Sequence, residues 1–146
     1  MAATRKAHVV WTGDLMKGSG TVTAESSGLF RDAGVTWAAR TERSDGKTSP
    51  EELLAAAHAS CFSMALSAGL GRAGTPPSRL EVSATVTFDK VGDGWKVTSS
   101  ALEVRGQVPG IDAAKFQAAA EAAKDGCPIS GALKGNVELS VKATLA

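Results

Sequence analysis

The stretch SPEELLAAAHASCFSMALSAGL, Ser49 to Leu70, constrains this chain more than any other segment. Ser49 offers a side-chain cap, Pro50 suits the first helical position, and Glu51 and Glu52 put negative charge where a helix dipole is positive. Leu53, Leu54, Ala57, Cys61, Met64, Ala65 and Ala68 then keep an apolar stripe at three- and four-residue spacing until the glycines of AGLGRAG end it. Alanines fill much of the remaining surface, so the helix is expected to be buried nearly all round. At 146 residues the chain is most economically one domain, 1–146. A domain of that size hardly encloses such a helix alone, whereas a two-fold dimer packing two copies together would.

Around this helix the pattern changes to alternation. Residues 7–12 (AHVVWT) and 20–25 (GTVTAE) read as short strands joined by the loop GDLMKGS, and 35–41 (VTWAART) supplies a third. Because no helix follows KGSG, that loop is a turn rather than a phosphate cradle. RLEVSATVTFDKV and GWKVTSSALEVRGQV form a hairpin about GDG, with Val82, Ala84, Val86 and Phe88 on one face. Residues 112–126 read as a helix capped by Asp112 and closed by Gly126. A short helix follows from Cys127-Pro128 to near Gly135, and NVELSVKATL is a final strand. The order β-β-β-α-β-β-α-α-β, with hairpins outnumbering crossovers, gives an α+β class. Trp11, Trp37 and Trp95 fall in strand segments and are read as sheet packing.

Charge and cysteine content narrow the function. Sixteen basic against fifteen acidic side chains give a net charge of +1, which offers nucleic acid and anionic membranes little attraction. Neither a signal peptide nor a membrane span is read in the sequence, so the expected address is the cytoplasm. Two cysteines with His8 and His58 lack the spacing of a metal motif, and no Cys-x-x-Cys supports a general disulfide oxidoreductase.

The two thiols differ in what could ionise them. An ordinary cysteine, with a pKa of about 8.5, is mostly protonated at neutral pH unless a cation or a helix N-terminus favours the thiolate. Cys127, before Pro128 at a helix start, has such a cap locally; Cys61 lies three turns inside its helix and needs a charge from another element. Glu51, Leu54, His58 and Cys61 fall at steps of three, four and three along one face. Ten residues put Glu51 roughly 15 Å along the axis from Cys61, too far to act on it within one helix. An antiparallel second copy would bring a Glu51 back to the opposite Cys61, which predicts an active site built from two chains. His58 is expected to be a hydrogen-bonded structural histidine. Phe62, Met64, Leu66 and Leu54 are candidates for an apolar substrate wall or for plain core packing.

The segments SPEELLAAAHASCFSMALS, VPGID and GCPIS, with WTGD, GSGTV and FDKV, resemble the OsmC/Ohr family of thiol-dependent peroxidases over about residues 8 to 142. AAHASCFSMAL and PGID are similar to the OsmC branch; the Ohr branch tends to carry glycine-tyrosine where Ala57-His58 stand. The resemblance implies an intertwined homodimer whose antiparallel sheets wrap two central helices, and a reaction without cofactor or metal. It implies Cys61 as peroxidatic thiol, Cys127 as resolving thiol, Glu51 as the family glutamate and Arg40 as the activating arginine, with Arg43 and Arg31 as alternatives. The implied substrates are organic hydroperoxides and, more weakly, hydrogen peroxide. The implied reductant is an external dithiol such as a lipoylated protein. A non-enzymatic dimeric redox sensor or binding protein on the same scaffold is the alternative reading.

Overall fold

A computed structural model describes residues 1–146. The chain divides into two compact units, Met1–Leu53 and Leu54–Ala146.

The first unit is an antiparallel meander of β1 (His8–Thr12), β2 (Ser19–Thr23) and β3 (Ala33–Val35), followed by a one-turn helix α1 (Trp37–Thr41). The β1–β2 loop is a turn, as its composition requires: Asp14 accepts from the N–H groups of Lys17 at 2.8 Å and Gly18 at 2.9 Å. The third strand, expected over 35–41, instead ends at Val35. Thr36 caps a helix instead, its hydroxyl accepting from Ala39 N–H at 3.0 Å, and Trp37 is therefore helical rather than a strand residue. The β-forming run Val-Thr-Trp suggested a strand, but the Thr36 cap and the two alanines after Trp37 favour a helical turn. Only Val22 among the large apolar residues of this unit is buried; Val9, Val10, Trp11, Leu15, Met16 and Leu29 are exposed.

Helix α2 (Pro50–Arg72) begins as its cap predicts, with Glu52 N–H donating to the Ser49 hydroxyl at 3.1 Å. Its buried stripe differs from the expected one. His58, Phe62, Leu66 and Leu70, spaced by four, turn inward, while Ala57, Met64 and Ala68 are exposed. The sequence could not rank the two faces because both are apolar. By length and composition alone α2 is long and apolar enough to cross a bilayer. Its Phe62, Leu66 and Leu70 nevertheless belong to the protein core.

In the second unit β4 (Arg79–Val91) and β5 (Gly94–Gln107) form the expected hairpin, turning at Gly92, whose φ of +62° suits a residue without Cβ. Val82, Ala84, Val86 and Phe88 do share the half-buried face of β4. Helix α3 (Ala113–Gly126) is capped by Asp112, which accepts from Lys115 N–H at 2.8 Å, and α4 (Pro128–Leu133) starts at Cys127. The chain then crosses back to lay β6 (Glu138–Leu145) parallel to β5, so the sheet order is β4-β5-β6. Gln117 of α3 fastens that last strand, accepting from Ala143 N–H at 2.9 Å and donating to the Val141 carbonyl at 3.3 Å. Phe62, Leu66 and Leu70 of α2, Leu102 and Val104 of β5, and Phe116 and Ala120 of α3 make the core. Gly106 is required there, because a Cβ would overlap the buried Phe116 ring.

Candidate active site

Arg40 sits in the last turn of α1 and Glu51 in the first turn of α2. They meet as a bidentate pair: Arg40 Nε donates to Glu51 Oε1 at 3.0 Å and Oε2 at 3.1 Å, and Nη2 donates to Oε1 at 2.7 Å. The carboxylate is nearly buried and the guanidinium about a third exposed, with side-chain accessibilities of 9% and 30%. Two parallel contacts of this kind fix the orientation of the planar cation, which a lysine ammonium would not reproduce. Arg40 also lies over the Trp37 ring, 5.9 Å from its centroid, and opens onto an apolar cavity of about 450 Å³ lined by Val9, Trp11, Leu15, Trp37 and Leu53. Two of the three tryptophans thus border a hollow beside a cation. Trp95 stacks on Phe88 with centroids 4.9 Å apart. The alternative arginines have different settings: Arg43 makes a 3.7 Å surface pair with Asp45, and Arg31 is exposed.

In the second unit α2 carries Cys61 and the α3–α4 junction carries Cys127. Cys127 closes α3 by donating its N–H to the Ala123 carbonyl at 2.9 Å and opens α4 by accepting from Gly131 N–H at 3.0 Å. That double duty fixes its backbone. Both cysteines are free thiols, and their sulfurs are 2.7 Å apart. Cys127 is buried and Cys61 is partly accessible. Beside Cys61 lies a cavity of about 670 Å³ whose walls include Met64, Ala68, Arg72, Ala119 and Pro128.

The environment treats the two sulfurs differently. Burial pushes the Cys61 thiol up and the adjacent Cys127 reinforces this, outweighing the opposing pull of the Ile129 N–H. Burial also acts upward on Cys127. Hydrogen bonding to Cys61 and Ser130, together with the N–H groups of Ser130 and Ile129 at the open end of α4, outweighs it and holds Cys127 below its ordinary range. Cys127 occupies the N-cap position of α4 that the sequence predicts, without a side-chain hydrogen bond to the helix N–H groups by cap geometry. No cation is among the groups that shift Cys61.

His58 is a hydrogen-bonded structural residue, as expected. It is fully buried, its Nδ1 lies 2.7 Å from Ser100 Oγ and its Nε2 2.8 Å from Ser130 Oγ, and burial lowers its pKa toward the neutral form. Ser100 and Ser130 were not singled out in the sequence. Their signals were a serine at an inward position of β5, two residues before the buried Leu102, and a serine three residues after the capping cysteine. Of the candidate wall residues, Phe62 and Leu66 are core, whereas Met64 faces the cavity at 72% exposure.

Residues 43–142, reaching into both units, match the model of the family described as OsmC-like protein. The chain belongs to the OsmC-like family. It is 44% identical over 139 residues to the peroxiredoxin OsmC of Escherichia coli K12, covering 95% of this chain and 96% of that one. It is 30% identical over 125 residues to the organic hydroperoxide resistance protein OhrA of Bacillus subtilis, covering 84% and 86%. Among solved structures, the organic hydroperoxide resistance protein OhrB of Bacillus subtilis superposes with a TM-score of 0.75 at 26% identity, covering 95% of this chain and 98% of that one. The α+β OsmC-like fold read from the sequence is thus present, and both cysteines lie inside the family match.

Proposed function

We propose that this OsmC-like chain is a cysteine-based peroxidase that reduces organic hydroperoxides to alcohols, using the thiols of Cys61 and Cys127 and the guanidinium of Arg40. The observation that carries the reading is the pair of free sulfurs 2.7 Å apart, one partly accessible beside a cavity and the other buried at a helix start. Relatives named for peroxiredoxin activity and organic hydroperoxide resistance support the class of reaction.

The chemistry assigns each residue a task. Cys61 attacks the terminal peroxide oxygen as a thiolate; the O–O bond breaks, and the departing alkoxide takes a proton to become the alcohol. Arg40 stabilises the thiolate and hydrogen-bonds to the peroxide oxygens as their bond stretches, while Glu51 holds the guanidinium in register. The Cys61 sulfenic acid then condenses with Cys127, releasing water and forming a disulfide. An external dithiol reduces that disulfide and is itself oxidised, which suits a lipoylated protein. No step calls for a metal or cofactor. Hydrogen peroxide, which places nothing in an apolar cavity, is the weaker substrate.

Arg40 serves the Cys61 of a second copy in this proposal. The surroundings of Cys61 raise its pKa, so a positive charge must reach it from another element. Two surfaces support a homodimer: the first unit leaves Val9, Trp11 and Leu15 exposed, and the outer face of α2 presents Ala57, Met64 and Ala68. Covering both would supply the burial that each lacks. The working place is the reducing cytoplasm, where an external dithiol can return both thiols.

The test is turnover of cumene hydroperoxide with a dithiol in excess. Wild type is expected to consume many equivalents; Cys61→Ser consumes none, and Cys127→Ser forms a sulfenic acid once and then stalls. Equal residual turnover in the two variants contradicts the assignment, and a single stoichiometric oxidation of wild type indicates a sensor.

A further inference from the structure

Arg40 carries the positive charge of the proposed reaction, yet the fold around it is slight. Its helix α1 is five residues long and contains no buried residue. So short a helix is not kept formed by its own backbone hydrogen bonds. Side chains hold the turn instead: the Thr36 hydroxyl accepts from Ala39 N–H at 3.0 Å, the Thr41 hydroxyl donates to the Trp37 carbonyl at 2.8 Å, and Arg40 pairs with Glu51. The last of these reaches the guanidinium itself.

Glu51 grips the cation along one edge, through Nε and Nη2. Two parallel hydrogen bonds fix the distance and register of the two groups, but they also form a hinge about which the guanidinium can tip. A steady direction needs a second contact away from that edge. Trp37 supplies one. It stands three residues before Arg40 on α1, a spacing that brings side chains together on one helical face. The guanidinium carbon lies over the indole ring, 5.9 Å from its centroid. The ring is itself seated, because it lines the 450 Å³ cavity beside Arg40 together with Val9, Trp11, Leu15 and Leu53. Apolar surroundings strengthen a contact between a cation and a ring relative to the same contact in open water. Leucine would fill such a hollow as well; an aromatic ring alone offers the cation a negative face.

Resting on the assignment of Arg40 as the activating cation, we propose that Trp37 is a positioning residue for it. Glu51 holds the guanidinium by its edge, the Trp37 ring stops it tipping on that hinge, and together they set the direction in which the charge is offered to sulfur and peroxide. The step served is the first one: Cys61 thiolate and hydroperoxide give the sulfenic acid and an alkoxide, which takes a proton from water to become the alcohol. Trp37 makes and breaks no bond in it. A wall that merely received the organic group of the substrate would behave differently, since hydrogen peroxide has no such group. The guanidinium acts on the O–O bond that all hydroperoxides share.

Single-turnover mixing with cumene hydroperoxide and with hydrogen peroxide reads the sulfenic acid step for each. Trp37→Leu is expected to slow that step roughly fivefold for both peroxides while leaving disulfide formation within about twofold of wild type. Trp37→Phe, which keeps a ring face, is expected to recover most of the loss. In an Arg40→Ala background Trp37→Leu is expected to change the rate by less than about twofold, because the group it acts through is gone. A loss confined to cumene hydroperoxide, or an equal loss in the Arg40→Ala background, overturns the proposal and makes Trp37 a substrate wall or a packing residue. The side-chain Nε–H resonance of Arg40 reports the contact without turnover. Its ring-current shift should vanish in Trp37→Leu and persist in Trp37→Phe; a resonance unmoved by Trp37→Leu also overturns the proposal. If wild type consumes neither peroxide, the peroxidase reading fails and this proposal with it. That failure is distinct because it does not depend on residue 37.

Discussion

The two compact units of the chain are built in opposite ways. The first holds a guanidinium oriented by a nearly buried carboxylate and contains no thiol, and its sheet leaves most of its large apolar side chains exposed. The second holds both thiols within a core of Phe62, Leu66, Leu102 and Phe116, and the groups that shift its cysteines include no cation. A well-packed unit can fix two sulfurs at contact distance but, being apolar, it raises the pKa of Cys61. A loosely buried unit can carry a charge at tolerable desolvation cost but gains its packing from elsewhere.

The sharpest way to break this contrast is to remove the cation. Arg40→Ala is expected to lower peroxide turnover about 10²- to 10³-fold while leaving the thermal midpoint of the second unit's core nearly unchanged; an active Arg40→Ala would mean that another group ionises Cys61. Glu51→Gln keeps the shape but weakens the grip on the guanidinium, and roughly tenfold slower turnover is expected, visible in the sulfenic acid step and absent from the disulfide step. Packing gives a smaller signal. Gly106→Ala forces a methyl against Phe116 and should cost about 1–3 kcal/mol in chemical unfolding, whereas Leu29→Ala in the first unit, at 83% exposure, should change stability by less than about 0.5 kcal/mol. The smallest effect concerns pH. Burial depresses the His58 pKa, so below the ordinary histidine value of about 6.5 the unfolded chain binds a proton that the folded one refuses. Stability should therefore fall as pH drops from 7 to 5, more steeply in wild type than in His58→Gln; equal slopes would remove His58 as the cause.

Much of this was legible in the sequence, and the exceptions share a cause. The Ser49, Asp112 and Cys127 caps and the β4–β5 hairpin are local features, decided by residues within a few positions of one another, and they stand where expected. The turn at Thr36 was misread because a strand-forming run overlapped a helix cap of equal strength, which displaced Trp37 from sheet to helix. The inward face of α2 was misread because alanine and leucine line both sides, so periodicity alone could not say which would meet Leu102 and Phe116 and which would stay exposed. At the site, the nearness of Cys61 and Cys127 followed from the family resemblance. The partners of His58 did not, since Ser100 and Ser130 are far apart in sequence and become neighbours only when β5 and α4 close on the helix. Long-range pairing of small polar side chains leaves almost no trace in a single sequence.

Complementation between two inactive variants tests the central claim most directly: that the guanidinium of one copy ionises the Cys61 sulfur of another. Cys61→Ser and Arg40→Ala proteins, each inactive alone, are mixed, exchanged as subunits and assayed with cumene hydroperoxide and a dithiol. A site shared between chains predicts recovery, because each mixed dimer contains one intact pairing of Cys61 with Arg40. No recovery after demonstrated subunit exchange would place both groups within one chain and contradict the claim.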